Sequence, residues 1–83
     1  MDKLLVTIYV PVIEGEYEIY IPLNKKIGVV RKLIVSAINE LSGQKIDTNW
    51  NLELYDNDTG NVLVDEMYVK DSNLINGAKL VLI

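Results

Sequence analysis

The sequence contains no cysteine and no histidine. Without cysteine there can be no disulfide and no thiolate nucleophile or metal ligand. Without histidine the chain lacks the commonest metal ligand and the side chain best matched to proton transfer near neutral pH. No apolar run approaches the ~20 residues that a spanning helix needs, so direct membrane insertion is not expected. The opening Met1-Asp2-Lys3-Leu4 is not the basic segment and apolar stretch of a signal peptide, and a cytoplasmic location fits these absences. No glycine-rich loop carries a nucleotide-binding fingerprint. Acidic pairs such as Asp65 and Glu66 fall in no recognisable cleft. A domain this small has little room for a ligand pocket of ~300 Å³ or more. No enzyme activity, cofactor or metal is therefore expected, and no residue is assigned to one.

Positive charge is scarce as well. Eight Lys and Arg stand against twelve Asp and Glu, a net charge of -4. An acidic surface repels phosphate backbones, which argues against nucleic acid as a partner. The one basic cluster, Lys25, Lys26, Arg31 and Lys32, reads as the solvated side of a helix, with a docking patch for an acidic partner as the alternative. Glu14, Glu16 and Glu18 read as a charged strand face that discourages edge-to-edge pairing, or else as a docking patch. Asp56-Asn57-Asp58-Thr59-Gly60 begins like a calcium loop but lacks the twelve-residue pattern with its late bidentate glutamate, so it reads as a solvated turn.

What is present is apolar periodicity. A chain of 83 residues supports a single domain over 1–83. Its core is thin, since a domain of this size buries about 60–65% of the surface its unfolded chain exposes. In residues 4–10, Leu4, Val6, Ile8 and Val10 alternate with Leu5, Thr7 and Tyr9, which predicts a strand that ends at Pro11. Glu14-Gly15 is a turn signal, and residues 16–21 alternate again with Tyr17, Ile19 and Ile21 on one face, so the two strands form a hairpin. Pro22 closes it, and Asn24 has N-cap chemistry for a helix that starts there or a residue or two later.

Val30, Leu33, Ile34, Ala37, Ile38 and Leu41 recur at helical spacing as the predicted buried stripe, and Ser42-Gly43 is the stop. Ile46 and Trp50 lie in the next connection and are expected to fold over an edge of the core, Trp50 capping one end, with an exposed aromatic anchor as the alternative for Trp50. Leu52–Tyr55 and Val62–Val64 are predicted short strands around the Asp56–Asn61 turn. Residues 65–73 lack a period and read as an irregular crossing with core anchors, with Leu74 just beyond. Asn76-Gly77 turns the chain into a last strand over residues 78–83.

The predicted order is strand, strand, helix, strand, strand, strand. One helix across a mixed sheet buries the helix stripe most simply, an α+β arrangement. The first and last strands are the most apolar and are placed centrally, as a parallel pair.

That order resembles the ubiquitin-like β-grasp. The resemblance rests on the hairpin 4–21, Pro22, the stripe Val30/Ile34/Ile38, the Gly43 stop, Leu52 and Leu54, and Asn76-Gly77 before Leu80-Val81-Leu82. More narrowly, the size and the ending Leu74-Ile75-Asn76-Gly77-Ala78-Lys79-Leu80 through Ile83 are similar to the small ubiquitin-like accessory proteins of type VII (ESX-like) secretion systems of Gram-positive bacteria. The resemblance implies a cytoplasmic, non-covalent protein-interaction module that serves the secretion machinery in an accessory or regulatory role, with a secretion-machinery component as its partner. A related domain also occurs within a membrane component of such systems, so a domain of a larger membrane protein makes the same fold prediction. Covalent modifiers and sulfur carriers need an accessible terminal glycine, whereas Ala78–Ile83 reads as a strand. That activity is the alternative if the natural chain extends beyond Ile83 to a terminal glycine.

Alternation then singles out a candidate interaction surface. If Leu4, Val6 and Ile8 face the helix, the outer sheet face carries Leu5, Tyr9, Tyr20, Tyr55, Val81 and Ile83. Tyrosines are rigid amphipathic anchors suited to interfaces, and a contiguous apolar area there would mark a contact site. A homodimer through this open face would bury the same residues. The related surface of ubiquitin is apolar where this chain has Glu53, so the partners of ubiquitin itself are not expected to bind.

Overall fold

The alternation of residues 4–10 becomes a strand, β1 (Lys3–Val10), with Leu4, Val6, Ile8 and Val10 buried and Tyr9 exposed. A computed structural model describes residues 2–47 and 50–83. Pro11 ends β1 by opening a short 3-10 turn over Pro11–Ile13. Glu14 then takes a left-handed conformation at φ 51° and donates its N–H to the Pro11 carbonyl at 3.0 Å. The chain returns as β2 (Gly15–Pro22), antiparallel to β1 with Val10 opposite Gly15 and Lys3 opposite Pro22.

The helix, α1 (Ile27–Ser42), starts later than Asn24 would place it. Its N-cap is Lys26, and no side chain caps it. The loop does that work instead: Ile27 and Gly28 donate their N–H groups to the carbonyls of Met67 and Asp65, at 2.8 and 3.0 Å. Two orphan donors of the first turn are thereby satisfied by distant backbone. At the other end Gly43, at φ 73°, donates to the Asn39 carbonyl at 3.0 Å, a left-handed stop that glycine adopts without a Cβ penalty.

The buried stripe of α1 is Ile27, Val30, Ile34, Val35 and Ile38. It is rotated from the predicted one. Leu33 and Leu41 are 52% and 66% exposed, Leu41 in the last turn of the helix, while Ile27 and Val35 are buried.

Beyond the helix, Asn39 ties down the connection. Its side-chain amide donates to the Ile46 carbonyl at 2.9 Å, and its Oδ1 accepts the Ile46 N–H at 2.7 Å. Ile46 is buried as expected, whereas Trp50 is half exposed at 50% and does not cap the core. The core is already closed at that end by Ile46 and Leu52.

The third strand, β3 (Leu54–Asp56), is short, and the ladder continues outward through two hydrogen bonds between Glu53 and Ile83 at 2.7 and 3.0 Å. The predicted strand over residues 62–64 is reduced to a bridge between Tyr55 and Val62, with Leu63 N–H still reaching the Leu54 carbonyl at 2.8 Å. The chain must then leave the sheet so that Asp65 and Met67 can serve the helix amino terminus. The crossing that follows anchors Val69 in the core and leaves Met67 and Tyr68 largely exposed. Leu74 packs against the core from its margin.

Gly77, at φ 86°, turns the chain into β4 (Ala78–Leu82). β4 runs parallel to β1, with Val6 beside Ala78 and Tyr9 beside Val81, and antiparallel to β3. The sheet order is β2-β1-β4-β3, mixed, with the most apolar strands in the centre. One helix on a four-stranded mixed sheet is the α+β β-grasp arrangement.

Leu33 and Ile34 are adjacent on α1 but differ completely in burial. Ile34→Ala should cost about 2–5 kcal/mol by removing a fully buried side chain, whereas Leu33→Ala should cost about 0.5 kcal/mol or less, both measured by urea unfolding.

Candidate functional site

The register of the sheet decides which outward side chains meet. Cross-strand partners share a face, and neighbouring strands lie about 4.8 Å apart. Val81 stands between Tyr9 on β1 and Tyr55 on β3, and Tyr55 bridges to Val62. Tyr9, Val81, Tyr55 and Val62 therefore form one row across the outer face, spanning about 14 Å. Ile83 lies one step along from Val81 and faces the same way, exposed. On the other side of β1 the row ends at Glu16, the partner of Tyr9.

Leu5 and Tyr20 are also on the outer face and are cross-strand partners of each other. They do not join the row. Thr7 separates Leu5 from Tyr9, and its neighbours are Glu18 on β2 and Lys79 on β4. The six predicted residues thus share a face but form two apolar islands, divided by a band of Glu18, Thr7 and Lys79. A shallow open hollow of about 140 Å³ lies over this band and is lined in part by Thr7, Tyr9, Glu16, Lys79 and Val81. Leu5, Tyr55 and Val81 are partly exposed, and Tyr9 and Tyr20 are 42% and 65% exposed. Glu53 is exposed beside Ile83, at the margin of the larger island.

Val62 and Val64 belong to this surface and were not among the predicted site residues. Both are exposed, and the alternation Val62-Leu63-Val64 carried the signal, since the intervening Leu63 packs against the core. The island is held in place by ordinary sheet hydrogen bonding and by Asn76. Its Oδ1 accepts the Leu5 N–H at 2.8 Å, while Gly77 N–H donates to the Leu5 carbonyl at 2.7 Å, which locks the turn before β4 onto β1.

Parts of the other charged clusters are engaged locally. Arg31 pairs with Asp65 at 3.1 Å across the helix start, an exposed contact worth little to stability. The ammonium groups of Lys26 and Lys70 lie 5.8 and 5.6 Å from the centroid of the Tyr68 ring, within cation–π range. The Asp56 turn closes on itself: the Asp56 carboxylate accepts the Asp58 N–H at 2.9 Å, and the Asp56 carbonyl accepts the Gly60 N–H at 2.8 Å. Among the described residues, no group of three or more His, Cys, Asp or Glu is arranged to hold a metal ion. No helix among them is long and apolar enough to cross a membrane.

The two faces of β2 make the geometry testable. In limited nitration read by site-resolved mass spectrometry, Tyr20 on the outer face should react ahead of Tyr17, which is turned towards the core.

No protein-family description matches the sequence. No curated protein matches it either. Solved structures do. The ubiquitin-like domain of the Mycobacterium tuberculosis type VII secretion system protein EccD1 superposes with a TM-score of 0.76 at 14% identity, over 100% of this chain and 99% of that one. A chain of an ESX-5 inner membrane complex gives 0.73 at 15% identity, over 100% of this chain and 21% of that one. The ubiquitin of Caldiarchaeum subterraneum gives 0.67 at 23% identity, over 98% and 91%. The β-grasp observed here, with its parallel central strands and single crossing helix, is the ubiquitin-like fold.

Proposed function

We propose that this chain is a non-covalent protein-interaction module, a cytoplasmic accessory or regulatory component of a type VII secretion system in a Gram-positive bacterium. Its partner is a component of the secretion machinery, and the contact is made by the outer face of the sheet. Its role is contact rather than catalysis.

The observation that carries this reading is the row Tyr9, Val81, Tyr55 and Val62, extended by Ile83. Two tyrosines flank an aliphatic centre on hydrogen-bonded strands, which provides apolar contact area at low cost in side-chain entropy. The charged margin of Glu16, Glu53 and Lys79 gives the rim that an interface of this kind uses for orientation. Likeness of the whole chain to a ubiquitin-like domain of a secretion protein supports the machinery as the setting. A second copy of the chain, stacked face to face, is the competing occupant of the same island.

The test compares wild type with a Tyr9→Ala/Val81→Asp variant as bait in native cytosol and solubilised membranes, with captured proteins identified by mass spectrometry. Wild type should recover a type VII component that the variant loses, while circular dichroism and thermal melting show the variant still folded. Equal recovery by both baits, or recovery of only the chain itself, would reject the reading.

A further inference from the structure

A second surface lies where α1 begins, apart from the outer-face row. Lys25 and Lys26 precede the helix, and Lys70 comes from the crossing far along the sequence. Backbone bonds gather them. Val69 donates its N–H to the Lys25 carbonyl at 2.9 Å, and Lys70 donates its own to the Leu23 carbonyl at 3.0 Å. Lys26 forms a bridge with Tyr68. All three lysines are exposed, and so is Tyr68. The ammonium groups of Lys26 and Lys70 lie 5.8 and 5.6 Å from the Tyr68 ring centroid, and so at most about 11 Å from each other.

Positive charge is left uncompensated there. Arg31 of the same basic cluster is paired with Asp65. Among the described residues, no carboxylate lies within ion-pair distance of Lys25, Lys26 or Lys70. The Tyr68 ring attracts two of the ammonium groups but brings no negative charge. The first turn of α1 carries no acidic residue, although that end of a helix disfavours cations. The N–H groups of Ile27 and Gly28 are already taken by the Met67 and Asp65 carbonyls, so the surface works through side chains. Val29, 47% exposed, stands three positions on from Lys26 and on the same side. It adds an apolar contact beside the charges.

Charge decides the occupant. Two copies meeting through this end would set lysine against lysine. An anionic membrane fits poorly as well. Asp65, Glu66 and Asp71 are exposed in the same crossing, and a broad anionic surface would meet them together with the lysines, inside one Debye length of about 8–10 Å. A narrow segment can lie along the lysines alone. An extended chain advances about 3.3 Å per residue, so carboxylates two or three positions apart match the spacing of Lys26 and Lys70. We propose that Lys25, Lys26 and Lys70, arranged around Tyr68, are a docking site for an acidic protein segment, whose carboxylates pair with the lysines and whose apolar residue rests on Val29. The site uses residues other than the outer-face row, and so stands or falls separately from it.

Two short synthetic peptides test this, one of glutamates around a central leucine and one of lysines around a central leucine. Each is titrated at low salt into isotope-labelled protein followed by NMR. The glutamate peptide should shift the amides of Lys25, Lys26, Tyr68 and Lys70 and the methyls of Val29, and the lysine peptide should not. Lys25→Gln/Lys26→Gln/Lys70→Gln removes three exposed charges and should weaken binding about tenfold, with circular dichroism unchanged. Lys26→Glu/Lys70→Glu should reverse the peptide preference and serves if the triple variant fails to fold. Lys45→Gln, beyond the far end of α1, should leave the affinity unchanged. Vesicles of phosphatidylserine and phosphatidylcholine should leave the protein in the supernatant on sedimentation. Equal binding of both peptides, binding of neither, shifts confined to residues outside this surface, or pelleting with the vesicles would overturn the proposal.

Discussion

The parallel pairing of β1 with β4 is the constraint on which the rest of the molecule depends. It brings residues more than seventy positions apart in the chain side by side, with Val6 next to Ala78 and Tyr9 next to Val81. Such a pair cannot be closed by a tight turn, so everything between the two strands is crossover. The helix is the part of that crossover able to cover the apolar face the two strands create together. Ile8, Leu80 and Leu82 are buried under it with Val30, Ile34 and Ile38. The same pairing places Val81 beside Tyr9 on the outside. Core and candidate surface are therefore two faces of one ladder.

The irregular segment before β4 serves this arrangement in a way its composition conceals. Its carbonyls at Asp65 and Met67 cap α1, and Val69 and Lys70 donate their N–H groups to Lys25 and Leu23 at 2.9 and 3.0 Å. Buried backbone groups at a helix start require partners, and here the partners come from the opposite side of the sequence. The cost is the loss of a regular fifth strand, since the chain must peel away from β3 after Leu63. Val62 and Val64 are left on the surface as a result, next to Tyr55.

Much of the architecture was legible in the residues. The period of two in 4–10 and 16–21, the proline stops, Gly43 and Asn76-Gly77 mark elements whose physics is local, and each appears in the structure at or near its expected place. The errors have a common origin. Leu33 and Leu41 match a helical stripe as well as Ile27 and Val35 do, and only the way α1 is seated on the sheet chooses between the two sets. Trp50 is apolar enough to cap a core, but Ile46 and Leu52 had already filled the space. The candidate site was half legible for the same reason. Alternation correctly assigned all six residues to the outer face. It could not show that Thr7, Lys79 and Glu18 divide them, because a band across three strands depends on register.

The sequence by itself determined the elements and the face on which each strand residue lies, since pleat, proline and glycine act over a few positions. Tertiary structure alone decided the neighbours: which strands adjoin, in what register, which flank of the helix is left bare, and which strand keeps a free edge. Those outcomes follow from long-range pairing and from the seating of a helix on the completed sheet, and no short stretch of residues encodes either.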